Sequence, residues 1–340
     1  MLLYPGSGVD VFTQCHIQED RVEVAVMKAE EINGEYEVRS WGYVFVLWFA
    51  SFIAMMTNFS QALWLKAFKQ RKDSLAKIMW TMGRSLNHVS SFFFDRFSQH
   101  THACKTGAAG WRSLDIFYNY HEKVKPELKD NLEGFLARFW IGKMENRQAV
   151  TNRKKLVVNL LVKSFYQFIN EPEIRLVSIA SGSAQAVIEA MKQSHVPVFA
   201  TLVDIDSEAI AVAKREAEEA GFSDRFNFIQ GSTNVLDDIC AEIQPHIIEM
   251  VGFLDYRPKK KAIKLINRIY KCLNPGGILL TCNIRKNREK IFLDWILLWP
   301  MYYRSQKQFV NILLSGGFVP KKTNIIYEPF KIHGIGICQK

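Results

Sequence analysis

Residues 174–193 read IRLVSIASGSAQAVIEAMKQ, and the fold is decided there. The largely apolar, β-branched run over 174–180 predicts a strand buried on both faces, as in a parallel sheet. Ser181-Gly182-Ser183 predicts a tight turn, and 187–193 returns to helical spacing. A turn of small residues lets the backbone approach a ligand, and the helix start behind it offers free N–H groups. The next apolar run, 198–205, carries Asp204, 22 residues after Gly182. An acidic residue about 20 positions beyond such a turn is placed to grip a ribose diol.

Strands and helices continue to alternate from there. Asp206 or Ser207 is expected to cap a helix that Gly221 closes. Further strands are predicted at 226–229, 247–254 and 278–283. Helices are expected at 260–273, 287–299 and 306–315, with a turn at Asn274-Pro275-Gly276-Gly277. Two closing strands, 323–328 and 332–338, have no helix between them and so predict an antiparallel edge. The predicted fold class is α/β: a doubly wound, Rossmann-like sheet with an antiparallel edge strand, behind a mostly helical N-terminal region.

Upstream, 22–38 alternates apolar and polar residues around Asn33-Gly34, which predicts a hairpin. No charged residue occurs over 40–65, where Trp41, Trp48 and Trp64 lie; Lys66, Lys69, Arg71 and Lys72 follow. This reads as a hydrophobic helix attached to a membrane, spanning or interfacial, with its basic flank on the cytoplasmic side. The alternative is a buried helix. Asp73 or Ser74 is expected to cap a following helix. Residues 100–110 are expected to form a polar loop, with His100, His102 and Cys104 lacking a second ligand pair, so no metal is assigned. A basic helix is expected from about 146 to 168. The expected division is 1–39 as hairpin or tail, 40–65 as hydrophobic helix, 66–170 as a helical substrate or lid region, and 171–340 as the cofactor-binding domain.

The chain has 340 residues, 48% of them hydrophobic and 23% charged, which excludes wholesale disorder and collagen-like repeats. Its formal charge is +10, of which residues 151–340 carry +8, in groups such as Lys154-Lys155 and Lys259-Lys260-Lys261. With no arginine-rich block interleaved with aromatics, this reads as a solvated face, and nucleic acid is disfavoured as a partner. Six scattered cysteines (Cys15, Cys104, Cys240, Cys272, Cys282, Cys338) include no CxxC. Free thiols in a reducing, cytoplasmic compartment are expected, on the inner face of a membrane if 41–65 attaches there.

From Ile174 to the end, the motifs resemble those of class I S-adenosylmethionine-dependent methyltransferases. SIASGSAQAV is similar to that superfamily's first motif, LVDIDSEAI to its second, and KCLNPGGILL to the turn before its fifth strand. Two departures stand out. Ser178 occupies the place of an acidic residue, and Ala180 and Ala184 occupy places of glycines. The resemblance implies S-adenosyl-L-methionine as cofactor, held by Ser178, Ala180, Ser181, Gly182, Asp204, Ile205, Ser232, Glu249 and Gly252. Glu249, at the end of the fourth strand, is expected to replace in part the acid missing at Ser178.

VGFLDYRPKKKAIKLINRIYKCLNPGG, CNI and LDWILLWPMYYRS resemble a narrower bacterial group. That group includes enzymes forming methyl esters of 3-hydroxy fatty acids, and is similar to azetidine-2-carboxylate synthases. Gly252, Asp255, Tyr256, Asn283, Trp295, Tyr303 and Arg304 carry this likeness. The expected catalytic set is Asn283, Tyr303, Arg304, Tyr118 and Tyr120, with Arg153 a second candidate to clamp a carboxylate. The reading is a methyltransferase acting on a small or lipid-like acceptor, a carboxylate among the options. Cyclisation of the cofactor, methylation of RNA and a non-catalytic cofactor-binding scaffold are the alternatives. The oligomeric state is left open.

Overall fold

The computed structural model describes residues 24–68, 78 and 81–340. Cys15 and the cap expected at Asp73 or Ser74 fall outside the described residues. The N-terminal part is helical: α1 (Trp41–Phe68), short helices at Val89–Phe93 and Gln99–Thr106, α2 (Trp111–Tyr118), and α3 (Glu145–Gln167).

An eight-stranded sheet follows, made of β1 (Val24–Val26), β2 (Ile174–Ile179), β3 (Val198–Asp204), β4 (Phe226–Gln230), β5 (Ile247–Met250), β6 (Ile278–Ile284), β7 (Thr323–Tyr327) and β8 (His333–Gln339). The order is β1-β7-β8-β6-β5-β2-β3-β4, with β8 antiparallel to β6 and β7 and every other pairing parallel. The antiparallel strand expected at this end of the sheet is β8. The connecting helices include α4 (Gln185–Gln193), α5 (Ser207–Glu219), α6 (Leu236–Ile243), α7 (Lys259–Cys272), α8 (Lys290–Trp295) and α9 (Gln306–Ser315).

The winding reverses at β2, which has β3 on one side and β5 on the other. In open α/β sheets, ligands bind outside the carboxyl ends of the strands at such a reversal. Asp206 caps α5, its side chain accepting from the Glu208 N–H, and Gly221 beyond that helix is left-handed at φ 76°.

Four local expectations are corrected. The hairpin at 22–38 is not formed among the described residues: β1 pairs parallel to β7, and the segment behind it is pinned on α3. There the Glu35 N–H donates to Asn152 Oδ1 at 2.6 Å, the Glu37 N–H to Gln148 Oε1 at 2.9 Å, and Arg147 to Glu35 at 2.5 Å. The polar loop at 100–110 begins as a helix, Gln99–Thr106, capped by Ser98. His102 pairs with Asp95 at 2.7 Å, Cys104 is buried, and Lys105 is buried against Asp95 at 3.0 Å. Cys240 and Cys272 form a disulfide between α6 and α7, whereas Cys104, Cys282 and Cys338 are free thiols. The helix expected at 287–299 is regular only over α8.

The basic helix is α3, and it is not a solvated face. Every residue from Glu145 to Arg153 is buried. Leu156, Leu161 and Phe165 enter the same core as Ile174 and Leu176 of β2. Truncating Phe165, which is fully buried, is expected to cost about 3–5 kcal/mol of stability in urea denaturation. A loss below about 1 kcal/mol would mean that α3 is not part of the sheet's core.

Candidate active site

The parallel register places Ser178 on β2 opposite Glu249 on β5, so both side chains leave the same face at the strands' carboxyl ends. Both residues are buried, and Ser178 Oγ donates to Glu249 Oε2 at 2.5 Å. Glu249 Oε1 accepts the Val251 N–H at 3.0 Å. Burial pushes the Glu249 carboxyl up to about 7, although these bonds and nearby Arg153 pull the other way.

Beyond Ser178 the chain passes through three left-handed residues: Ala180 (φ 54°), Gly182 (φ 56°) and Ala184 (φ 53°). Glycine enters this region freely, whereas each alanine there costs roughly 1–2 kcal/mol. The turn is held from behind. The Ser181 N–H donates to the Val203 carbonyl at 3.2 Å, and the Gly182 N–H donates to Asp204 Oδ2 at 2.8 Å. Asp204 Oδ1 accepts the Asp206 N–H at 2.9 Å. A carboxylate offers about four lone-pair positions, so Asp204 retains capacity for ribose hydroxyls.

Two clefts open on either side of Ala180. The first, ≈ 550 Å³, is walled by Ser181, Gly182 and Gln185, by Glu249 of β5 and Val251 just beyond it, by Trp111, Leu114 and Tyr118 of α2, and by Lys154 and Val157 of α3. The second, ≈ 350 Å³, is walled by Asp204, Ile205, Gly231, Ser232, Phe253 and Arg257 among others. The Arg257 guanidinium lies over the Phe253 ring, 4.1 Å from its centroid.

α2 lies across the turn as a cover. Trp111 Nε1 donates to Asp206 Oδ2 at 3.0 Å, Gln185 Nε2 donates to Asp115 Oδ1 at 2.7 Å, and Arg112 pairs with Glu208. A Cβ on Gly182 would stand 3.4 Å from that of Trp111. Ser181 Oγ, in the wall of the first cleft, is buried without a hydrogen-bond partner among the described residues. A buried hydroxyl left unpaired beside a cleft is free to bond a group bound there.

Residues 170–317 match the family model of a methyltransferase domain. The chain carries a class I S-adenosylmethionine-dependent methyltransferase domain. A segment of 124 residues is 29% identical to the ribosomal protein L11 methyltransferase of Macrococcus caseolyticus (strain JCSC5402), over 35% of each chain. The chain thus matches about a third of that relative's length. A possible exported protein from Bordetella parapertussis shares the fold, with a TM-score of 0.57 and 12% identity over 89% of this chain and 99% of that one. An O-methyltransferase family protein from Burkholderia thailandensis superposes at a TM-score of 0.44, with 10% identity over 68% and 71% of the two chains.

The orphaned Ser181 hydroxyl, the turn's small residues and Asp204 fit the nucleoside and amino-acid ends of S-adenosylmethionine. Among the expected cofactor residues, Ala180, Ser181, Gly182 and Glu249 border the methyltransferase domain's first cleft. Ala180, Asp204, Ile205 and Ser232 border the second. Ser178 stands behind Glu249. Gly252 is left-handed (φ 87°), and its N–H donates to Cys282 Sγ at 3.0 Å.

The expected catalytic residues divide. Tyr118 borders the first cleft and accepts a hydrogen bond from Arg153 at 3.0 Å. Tyr120 is buried beneath Arg147, whose guanidinium lies 4.7 Å from the ring centroid. Tyr303 packs against Ala149 and Ile284 and bonds Asp294 at 3.4 Å. Arg304 donates to the Leu254 carbonyl at 2.8 Å, to the Arg257 carbonyl and to Asn283 Oδ1. Asn283 in turn donates to Asp255 at 2.7 Å. Asn283 and Arg304 are therefore committed to one another and to the loop after β5, and neither borders either cleft. Trp111, Gln185, Lys154, Phe253 and Arg257 were absent from the expected set. Their elements meet the site only through tertiary packing, which no spacing in the chain announces.

Two outcomes are expected. Asp204→Ala weakens S-adenosylmethionine binding by about 1.5–3 kcal/mol in calorimetry; unchanged affinity would move the ribose site elsewhere. Ala184→Gly, at a left-handed position, leaves the melting point unchanged or raises it, whereas Ala190→Gly inside α4 costs about 1 kcal/mol.

Proposed function

We propose that the protein transfers a methyl group from S-adenosylmethionine to the carboxylate of a small or lipid-like acceptor. The observation that supports this reading is Arg153. It is 3% exposed, its Nε is buried without a hydrogen-bond partner, and no carboxylate ion-pairs with it among the described residues. Burial disfavours its charge, and the Tyr118 hydroxyl and the nearby Asp255 act the other way. A buried cation without a paired anion is costly, and an anionic acceptor beside Tyr118 would relieve it.

S-adenosylmethionine supplies a sulfonium methyl already activated for in-line displacement. The residues need only orient and shield. The turn at Ser181 and Gly182, with Asp204, holds the nucleoside side. Glu249, as its carboxylate, pairs with the cofactor's ammonium. The face of Tyr118, already carrying Lys154 5.5 Å from its centroid, suits a cationic centre. An acceptor carboxylate is ionised at neutral pH, so no general base is required. α2 excludes water from the first cleft.

The same reading places the protein on a membrane surface through residues 41–65. The basic residues after Leu65 favour the anionic, cytoplasmic leaflet. The Cys240–Cys272 disulfide withdraws the thiol-based argument for a reducing compartment.

Labelled S-adenosylmethionine with a series of carboxylic acids is expected to yield base-labile methyl esters. Methylthioadenosine formed without any acceptor would support cyclisation instead. Arg153→Met is expected to lower kcat/KM for the carboxylate about 100-fold, and Arg153→Lys to fall between the two, when assayed well above pH 7, where Glu249 is ionised with or without the Arg153 charge beside it. Equal turnover in all three proteins would remove Arg153 from acceptor binding.

Glu249 gives a pH dependence of defined sign. Its carboxyl is raised above its ordinary value, so its burial penalises the folded state increasingly as pH rises from about 4.5 through about 7. Ligand-free protein is expected to lose stability over that window, and Glu249→Gln to flatten the loss. Cofactor affinity should rise over the same window, because the ammonium pairs with the ionised form, and should lose that rise in Glu249→Gln. A rise retained in the variant would assign the ammonium to another group.

A further inference from the structure

We propose that α1 lies in the plane of an anionic lipid surface as a one-sided interfacial helix and does not span the bilayer. This rests on the membrane reading above and specifies its geometry. α1 has two unlike faces. Trp41, Phe45, Trp48, Phe52, Phe59 and Leu63 recur at helical spacing on one side, and all are exposed; Trp41 is 88% and Phe45 71% exposed. The other side, with Leu47, Ala50, Ala54 and Asn58, is buried. Exposed apolar stripes of this length mark an interaction surface.

The buried face argues against spanning. Along its length α1 packs on the rest of the molecule. Tyr43 meets Phe139, with ring centroids 5.2 Å apart, and Leu47, Ala50 and Ala54 share a core with Phe292 and Ile296. Asn58 Nδ2 donates to the Trp295 carbonyl at 3.2 Å. The partner helix α8 carries Lys290 and Asp294. Glu289 before it accepts the Glu145 and Asn146 N–H groups at 2.9 and 2.7 Å. A spanning α1 would carry this charged, hydrogen-bonded body into hydrocarbon. In the interface plane, only the aromatic stripe enters the headgroup and acyl boundary, and the body stays in water.

Charge and residue type select the occupant. From residue 40 to 72 the chain has four cations (Lys66, Lys69, Arg71, Lys72) and no anion, which complements anionic headgroups. The stripe is mostly Trp and Phe, the residues of membrane interfaces. A coiled-coil seam with a second copy would instead place Leu, Ile and Val at such positions.

The test uses the full chain, N-terminally tagged and purified without detergent, floated with vesicles. Vesicles of phosphatidylcholine with about 30% phosphatidylserine are expected to carry at least about tenfold more protein than phosphatidylcholine alone. The exposed triple variant Phe45→Ser, Trp48→Ser, Phe52→Ser should stay at the bottom of the gradient with an unchanged melting point. Trypsin added outside bound vesicles should remove the tag completely. A protected tag would mean a spanning helix, overturning the in-plane geometry while leaving membrane attachment standing. No flotation would overturn both. A dimer lost in the triple variant, without flotation, would assign the stripe to a second copy. Equal flotation on both vesicle types would overturn the anionic selectivity.

Discussion

The side-by-side alignment of β2 and β5 is the constraint on which the rest of the site depends. It sets Ser178 against Glu249 at the point where the winding reverses. A carboxylate sent into that crevice without support would be expensive to bury. It is supported by a serine hydroxyl, a backbone N–H and the field of Arg153. A buried carboxylate thus lies one strand away from Ser178, where the proposed reading has it take over from the first-motif acid. The charge can occupy nearly the same place because neighbouring strands in register present adjacent side chains to one face.

Arg153 shows why the buried charges must be read together. It raises no salt bridge of its own among the described residues, yet it lies near enough to lower the carboxyls of Glu249, Asp255 and Glu328 against their burial. Asp255 is occupied structurally: it accepts the Ile284 N–H at 2.8 Å and the Asn283 amide at 2.7 Å, locking the loop after β5 onto β6. Arg304 completes that lock through backbone carbonyls. Asp255, Asn283 and Arg304 thus hold the loop geometry, and the proposed acceptor contact rests on Arg153 instead.

What could be read from the chain, and what could not, follows from the range of each interaction. The strands at 174–179, 198–204 and 278–284 are legible because strands buried on both faces need near-continuous apolar runs. Asp204 is legible because its distance from Gly182 is fixed by one strand–helix–strand unit. The helix at Gln99–Thr106 is not, since its residues have the small polar character of a loop. What fixes it is Ser98 as cap and the burial of Lys105 against Asp95. The Cys240–Cys272 bond joins helices whose adjacency depends on the sheet, so a 32-residue spacing says nothing of it. Ala180 and Ala184 defeat propensity altogether. They adopt glycine's conformation because the turn's N–H groups are held by the Val203 carbonyl and the Asp204 carboxylate.

The helical region is more than a cover added to the sheet. Tyr43 and Leu47 of α1, Phe117 of α2, and Phe292 and Trp299 share one apolar cluster, and Phe117 stacks on Trp299 at 5.8 Å. Close-packed interiors transmit displacement because they have few voids to absorb it. The helix that offers an aromatic stripe to the surroundings and the helix that closes the first cleft are therefore mechanically one body. If α1 rests on a lipid surface as proposed, that surface would supply a lipid-like acceptor, and the core beneath α1 fixes where α2 stands over the cleft.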